Sequence, residues 1–151
     1  MAGSARFTVA DICSLLDAEK HEVRAWLRLP PYGKVSVKER SARRFTQTEL
    51  VYFALIAQLH IDLGMSPRAI GRSSAALHGL VMSRLEPHKV IQIYAQHGTA
   101  AYLNATAPKE SGVVLAVAPA IERVQNYLLG ELPPMGAVDR NVLRLDRRTK
   151  T

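Results

Sequence analysis

The chain has 151 residues, 48% of them hydrophobic and 6% aromatic, with a formal charge of +7 and a pI near 9.9. That length makes one domain, or a small domain with an appendage, and the apolar fraction excludes wholesale disorder. The charge favours an acidic partner, nucleic acid before an anionic membrane surface, while the few aromatic residues limit base-stacking platforms for single strands.

Thr8 and Asp11 read as a capping box that opens a first helix. In "VADICSLL", Val9, Ile12, Leu15 and Leu16 share one face at helical spacing. Cys13 falls in this apolar pattern and is expected to act as a small buried hydrophobe. As the single cysteine, it excludes an internal disulfide and a multi-cysteine zinc site. The next segment, "DAEKHEVRAWLRL", turns Ala18, Val23, Trp26 and Leu27 inward and leaves Lys20, His21, Arg24 and Arg28 outward. Two short helices joined by about three residues make a helix-turn-helix pattern, although the joint "LDAE" lacks the usual glycine. Trp26 is expected to pack between these helices and a later one, with an indole contact to phosphate as a minor role.

Pro30 and Pro31 stop the second helix, and "PYGKVSVKERSARRF" reads as a small hairpin with basic exposed positions. Between Lys20 and Arg44 stand eight basic residues (Lys20, Arg24, Arg28, Lys34, Lys38, Arg40, Arg43 and Arg44) against Glu22 and Glu39. This stretch carries a net +6 of the chain's +7. Phe45 is expected to pin the hairpin to the core and aim Arg43 and Arg44 outward. Thr46 and Glu49 form a stricter capping box before "LVYFALIAQLHIDLG", where Leu50, Phe53, Ala54, Ala57 and Ile61 face inward and Gly64 closes the helix. Ser66 and Pro67 start another helix, with Ile70, Leu77 and Val81 inward, and Pro87 ends it.

Beyond a boundary near residues 84–88 the character changes. "HKVIQIYAQ", "AAYLN" and "GVVLAVA" read as strands, and "PAIERVQNYLLG" as a helix burying Ile121, Val124, Leu128 and Leu129. The tail from Pro133 is punctuated by proline and glycine and ends in a basic run. No apolar run approaches the roughly 20 residues that span a membrane, and "MAGSARFTVAD" lacks the apolar segment of a secretion signal, so a cytoplasmic setting is expected.

Nothing in this pattern points to catalysis. His21, His60, His78, His88 and His97 have no metal-binding spacing on one helix, no glycine-rich phosphate loop is present, and Cys13 has apolar neighbours. No enzyme activity, metal or cofactor is expected. DNA binding is different. Lys20, Arg24 and Arg28 recur every fourth residue along one stripe, beside His21, and a basic hairpin follows. A recognition helix needs long polar side chains on one face to reach base edges, next to others that grip phosphates.

At these residues the chain resembles the MerR-like winged helix-turn-helix superfamily. "FTVADICSLL" matches its first helix, "HEVRAWLR" its recognition helix, "ARRFTQTEL" its wing-to-helix junction, and "VYFALIAQLHIDLGMSPRAI" its following helix pair, together about residues 6–82. The resemblance implies that helix 20–29 enters the major groove and that the wing, 32–45, grips the backbone or minor groove. It places DNA contacts at Lys20, His21, Arg24, Arg43 and Arg44; the helical stripe adds Arg28, and the basic hairpin adds Lys34, Lys38 and Arg40. Small excisionase-like relatives share the first half but usually lack the helix pair, which favours a regulator.

The chain departs from that family after residue 84. Pro87, Gly98, Pro108 and Gly112 break up the long dimerising helix that such regulators carry, and no downstream cysteine serves metal sensing. The expected architecture is therefore mainly α with a small α+β C-terminal part. Residues 1–86 form the DNA-binding domain, and residues 87–151 a dimerisation or effector-sensing module with a basic tail. The expected function is sequence-specific binding of double-stranded DNA as a homodimer in transcription control. Two alternatives stay open: an excisionase-like recombination directionality or DNA-architectural factor, and an adaptor whose basic face binds an acidic protein.

Overall fold

A computed structural model describes residues 5–34, 43–83, 90–94, 98–102 and 112–130. The boundary near 84–88, the centre of the hairpin with Lys38 and Arg40, and the basic tail lie outside the described residues. The protein is mainly helical with a small three-stranded antiparallel sheet.

Helix α1 (Val9–Leu16) begins at the expected capping box: the Thr8 amide donates to the Asp11 carboxylate at 2.7 Å, and the Thr8 hydroxyl accepts from the Asp11 amide at 3.3 Å. It ends at Asp17, whose left-handed backbone (φ 52°) supplies the turn that glycine usually makes. An aspartate tolerates that conformation, which explains how the glycine-free joint works. Helix α2 (Lys20–Leu27) buries Val23, Trp26 and Leu27. The chain then tightens into a 3-10 turn, Tyr32–Lys34, where the Gly33 amide donates to the Leu29 carbonyl at 3.0 Å. A Cβ on Gly33 would lie 2.2 Å from the Arg28 carbonyl oxygen, so only glycine lets the turn pass over the end of α2.

Helix α3 (Gln47–Ala57) is the centre of the molecule, with every side chain from Glu49 to Ala57 buried. A helix apolar all round belongs inside a core, and α1, α5 and α6 pack against this one. It runs on into a π-helical turn, Gln58–Asp62. The wider turn shifts the inward face, so Leu59 is buried and Ile61, expected inside, is 39% exposed. Gly64, with φ 72°, follows as expected of a helix end. Helix α4 (Pro67–Gly71) is capped by the Ser66 hydroxyl, and α5 (Ser74–Ser83) buries Leu77 and Val81.

The strands are β1 (Val90–Tyr94), β2 (Thr99–Tyr102) and β3 (Gly112–Ala116), in the order β2–β1–β3. Ile91 stands opposite Tyr102 on one side and Leu115 on the other. Ile91, Ile93 and Leu115 are buried in the same hydrophobic core as the N-terminal helices.

Helix α6 (Ala118–Leu128) buries Ala120 and Val124 and leaves Leu129, expected inside, beyond its end and 68% exposed. It grips α1 at both ends. The Tyr127 hydroxyl donates to Asp11 at 2.7 Å, and Arg123 Nε donates to the Leu15 carbonyl at 3.1 Å. The two sequence halves therefore meet through shared core and through polar ties.

Because the Tyr127 hydrogen bond ends on a carboxylate that also caps α1, its loss reaches beyond α6. Tyr127→Phe is expected to cost about 1.5 kcal/mol and to lower the melting temperature by about 4 °C in a calorimetric scan.

Candidate nucleic-acid interface

On α2 the apolar and polar faces separate cleanly. Val23, Trp26 and Leu27 are buried while Lys20, His21, Arg24 and Arg28 are all exposed, as their spacing requires. Glu22, in the first turn, accepts from the Glu19 amide at 2.9 Å, which fixes the start of the helix. His21 Nδ1 lies 3.3 Å from a Glu19 carboxylate oxygen, and both side chains are well exposed. Such a surface pair is weak and readily gives way to another anion.

Trp26 holds this helix in place. The buried indole donates its N–H to His60 Nδ1 at 2.9 Å, across the π-helical turn, and the two rings meet edge to face at 5.9 Å. Its N–H is thus committed to His60, and the minor phosphate contact expected for it is not made from this position.

The described ends of the basic segment converge on one buried carboxylate. Glu49 Oε1 accepts from the Thr46 amide at 3.0 Å, and the Thr46 hydroxyl accepts from the Glu49 amide at 3.1 Å, so the expected capping box is present. Glu49 Oε2 accepts from the Tyr32 hydroxyl. The same oxygen lies 3.7 Å from the Arg43 guanidinium. Tyr32 oxygen also lies 3.0 Å from His78 Nε2, from which it accepts when its own proton points to Glu49. Its ring touches Phe45, Tyr52, Phe53 and His78 at centroid distances of 5.2 to 6.0 Å. Burial, and then the Glu49 hydrogen bond, push the Tyr32 hydroxyl far above its ordinary range, so it stays protonated.

Here the expectation that Arg43 and Arg44 both point outward needs correction. The Arg43 guanidinium stacks 4.9 Å above the Tyr32 ring and 6.0 Å from that of Phe45, with only 39% of its side chain exposed. Arg44 is exposed. The cause is the two-residue alternation of extended backbone. Phe45 pairs with Phe7 in an antiparallel bridge, its amide donating to the Phe7 carbonyl at 2.7 Å, and its ring is buried. Arg43 shares the side of Phe45, and Arg44 takes the opposite one. Once Phe45 is taken as the anchor, the sequence already carries this signal.

The Arg44 charge acts on the first capping box. Burial alone would raise the Asp11 carboxyl, but the Thr8 amide, the Tyr127 hydroxyl, the Thr8 hydroxyl and the Arg44 charge together hold it below its usual value. Burial and the hydrogen bond to Asp11 in turn push Tyr127 up to about 12. Cys13 is half-buried, and burial raises its thiol. Of the remaining predicted positions, Lys34 closes the 3-10 turn. Sequence reasoning missed Tyr32, Glu49 and His78 as a group because their contacts span 17 and 46 residues.

A groove of about 270 Å³ opens between α3, α5 and α6, lined by Thr48, Val51, Met82, Ile121 and Gln125 among others. Among the described residues that line it, none is charged. Among the described residues no three His, Cys, Asp or Glu side chains gather as a metal set, and no helix is long and apolar enough to cross a membrane. Comparison with protein-family models, curated proteins and solved structures finds no match to this chain.

His78 gives the cluster a pH dependence. Burial, opposed by Glu49 and reinforced by Arg43, lowers its pKa below the ordinary 6.5. The unfolded chain therefore binds the proton more readily, and stability rises with pH through this range. The contribution is complete above about pH 6.5 and is lost as the pH falls towards the folded value. His78→Gln, which keeps an N–H for Tyr32, is expected to flatten the loss of stability between about pH 7 and 5 in urea melts. Asp11 adds a separate loss only below its ordinary 3.8.

Proposed function

We propose that the protein is a sequence-specific double-stranded DNA-binding regulator, working in the manner of a MerR-like winged helix-turn-helix. One observation carries the reading. Lys20, His21, Arg24 and Arg28 project from one face of a short helix whose other face is locked into the core by Val23, Trp26 and Leu27. A rigid helix with a basic, hydrogen-bonding outer face suits the major groove, where Arg reads guanine through two parallel hydrogen bonds. Arg24, in the middle of that face, is the base-reading residue, and Lys20, His21 and Arg28 flank it towards the phosphates.

The basic segment after α2 takes the part of the wing in this reading. With Arg43 turned towards Glu49, the backbone contacts fall to Lys34, Lys38, Arg40 and Arg44. A single short helix reads few base pairs, so the proposal includes a homodimer on two half-sites. Residues 87–151 are its joining region. Val114 on β3, 52% exposed, and the protruding Leu129 support this by offering apolar surface there. Sedimentation of the full chain measures that association directly.

DNA affinity should fall steeply with salt, the logarithmic slope counting about 0.9 per neutralised phosphate. Arg24→Ala is expected to reduce discrimination between a selected site and random duplex by about 1–3 kcal/mol. Arg44→Ala should weaken all duplexes alike and lower the slope by about 0.9. Fluorescence anisotropy across a salt series reads all three quantities. An affinity that does not change between about 50 and 200 mM salt sinks the DNA reading.

A further inference from the structure

We propose that Arg43 is a positioning residue: with Glu49 and Tyr32 it forms a clasp that joins the two ends of the basic segment, and it does not itself contact DNA. The inference rests on the DNA-binding reading for its purpose, but on independent geometry for its existence.

Tyr32 lies at the start of the segment and Arg43 at its end, and both meet the same oxygen of Glu49. The arginine also lies over the tyrosine ring, so the two ends touch each other as well as their shared anchor. A planar guanidinium fits this place, since one face covers an aromatic ring while its edge meets a carboxylate. Its Nε is buried and has no hydrogen-bond partner among the described residues, which marks how far the group is drawn in. Glu49 is itself only 7% exposed and sits on a helix buried on all sides, so this anchor is fixed in the core.

A contacting arginine and a clasping arginine respond oppositely to Glu49. Were Arg43 a phosphate contact, neutralising Glu49 would release it and remove a nearby negative charge, and DNA would bind more tightly. As a clasp, Arg43 loses its anchor, the basic segment loosens, and DNA binds more weakly. Glu49→Gln suits the test because glutamine still accepts from the Thr46 amide and keeps the helix start.

The experiment is a double-mutant cycle on the full chain with R43A, E49Q and the double variant, read by DNA anisotropy and by amide exchange of the free protein. Each single variant should weaken binding severalfold, and the double should be no weaker than the worse single, because both remove one device. Exchange at the Gly33 and Phe45 amides, which donate to the Leu29 and Phe7 carbonyls, should quicken about tenfold in each. If R43A does not fold, Arg43→Lys takes its place; it keeps the charge without the planar fork, and intermediate protection is expected.

Tighter DNA binding by E49Q, or additive losses in the double variant, would overturn the proposal. Unchanged exchange at the Gly33 and Phe45 amides would overturn it as well. If the wild-type chain binds no duplex DNA, the functional reading fails, and the exchange measurement alone still decides whether the clasp exists.

Discussion

The Glu49 carboxylate is the point on which the rest of the molecule turns. A charge this deeply buried is costly unless it is paired and fully hydrogen-bonded. Here one oxygen takes the Thr46 amide, and the other takes the Tyr32 hydroxyl and faces Arg43. The start of α3 supplies a further favourable field, since free amides there carry partial positive charge. One side chain thus begins the central helix, seats the hub of the aromatic cluster, and holds the segment that carries much of the positive charge. A hydrophobic residue at this position would pack as well, but it would leave Tyr32 oxygen and Arg43 without an acid to meet.

From that point the architecture follows by exclusion. Helix α3 is covered on every side, by α1, α5 and α6 among others, so its sequence has room for no charge after Glu49. Charge is displaced to elements with a free face, above all α2 and the segment after it. Helix α2 keeps its orientation through Trp26, whose N–H is tied to His60 in the π-helical turn that follows α3. Helix α6 locks α1 from behind through Asp11 and Leu15. The basic face is therefore presented by a helix that has little freedom to rotate.

Much of this order is legible in the sequence, and the part that is not has a common physical character. Local signals read well: Thr8 with Asp11, Thr46 with Glu49, and Ser66 with Pro67 all cap helices as their spacing requires. Apolar spacing places Ile12, Leu15, Trp26, Phe53, Leu77 and Val124 in the core. Ile61 fails because the helical period itself changes in the π-helical turn, and Leu129 fails because the helix stops before it. The ties that matter most join residues far apart in the chain: 34 positions for Trp26 and His60, 116 for Asp11 and Tyr127. No local period encodes such pairs, since each arises only after the helices have packed.

Arg43 and Arg44 mark the difference between charge as composition and charge as geometry. Adjacent in sequence and identical in type, they lie on opposite sides of an extended backbone whose direction is set by the burial of Phe45. One arginine turns its charge towards a buried acid; the other stays exposed, with part of its field falling on Asp11. A count of basic residues overstates what this surface offers a partner by the number of charges that are already answered inside. The same alternation runs through the rest of the protein: the residue that anchors decides where its neighbours point, and the polar face of the molecule is what the core leaves over.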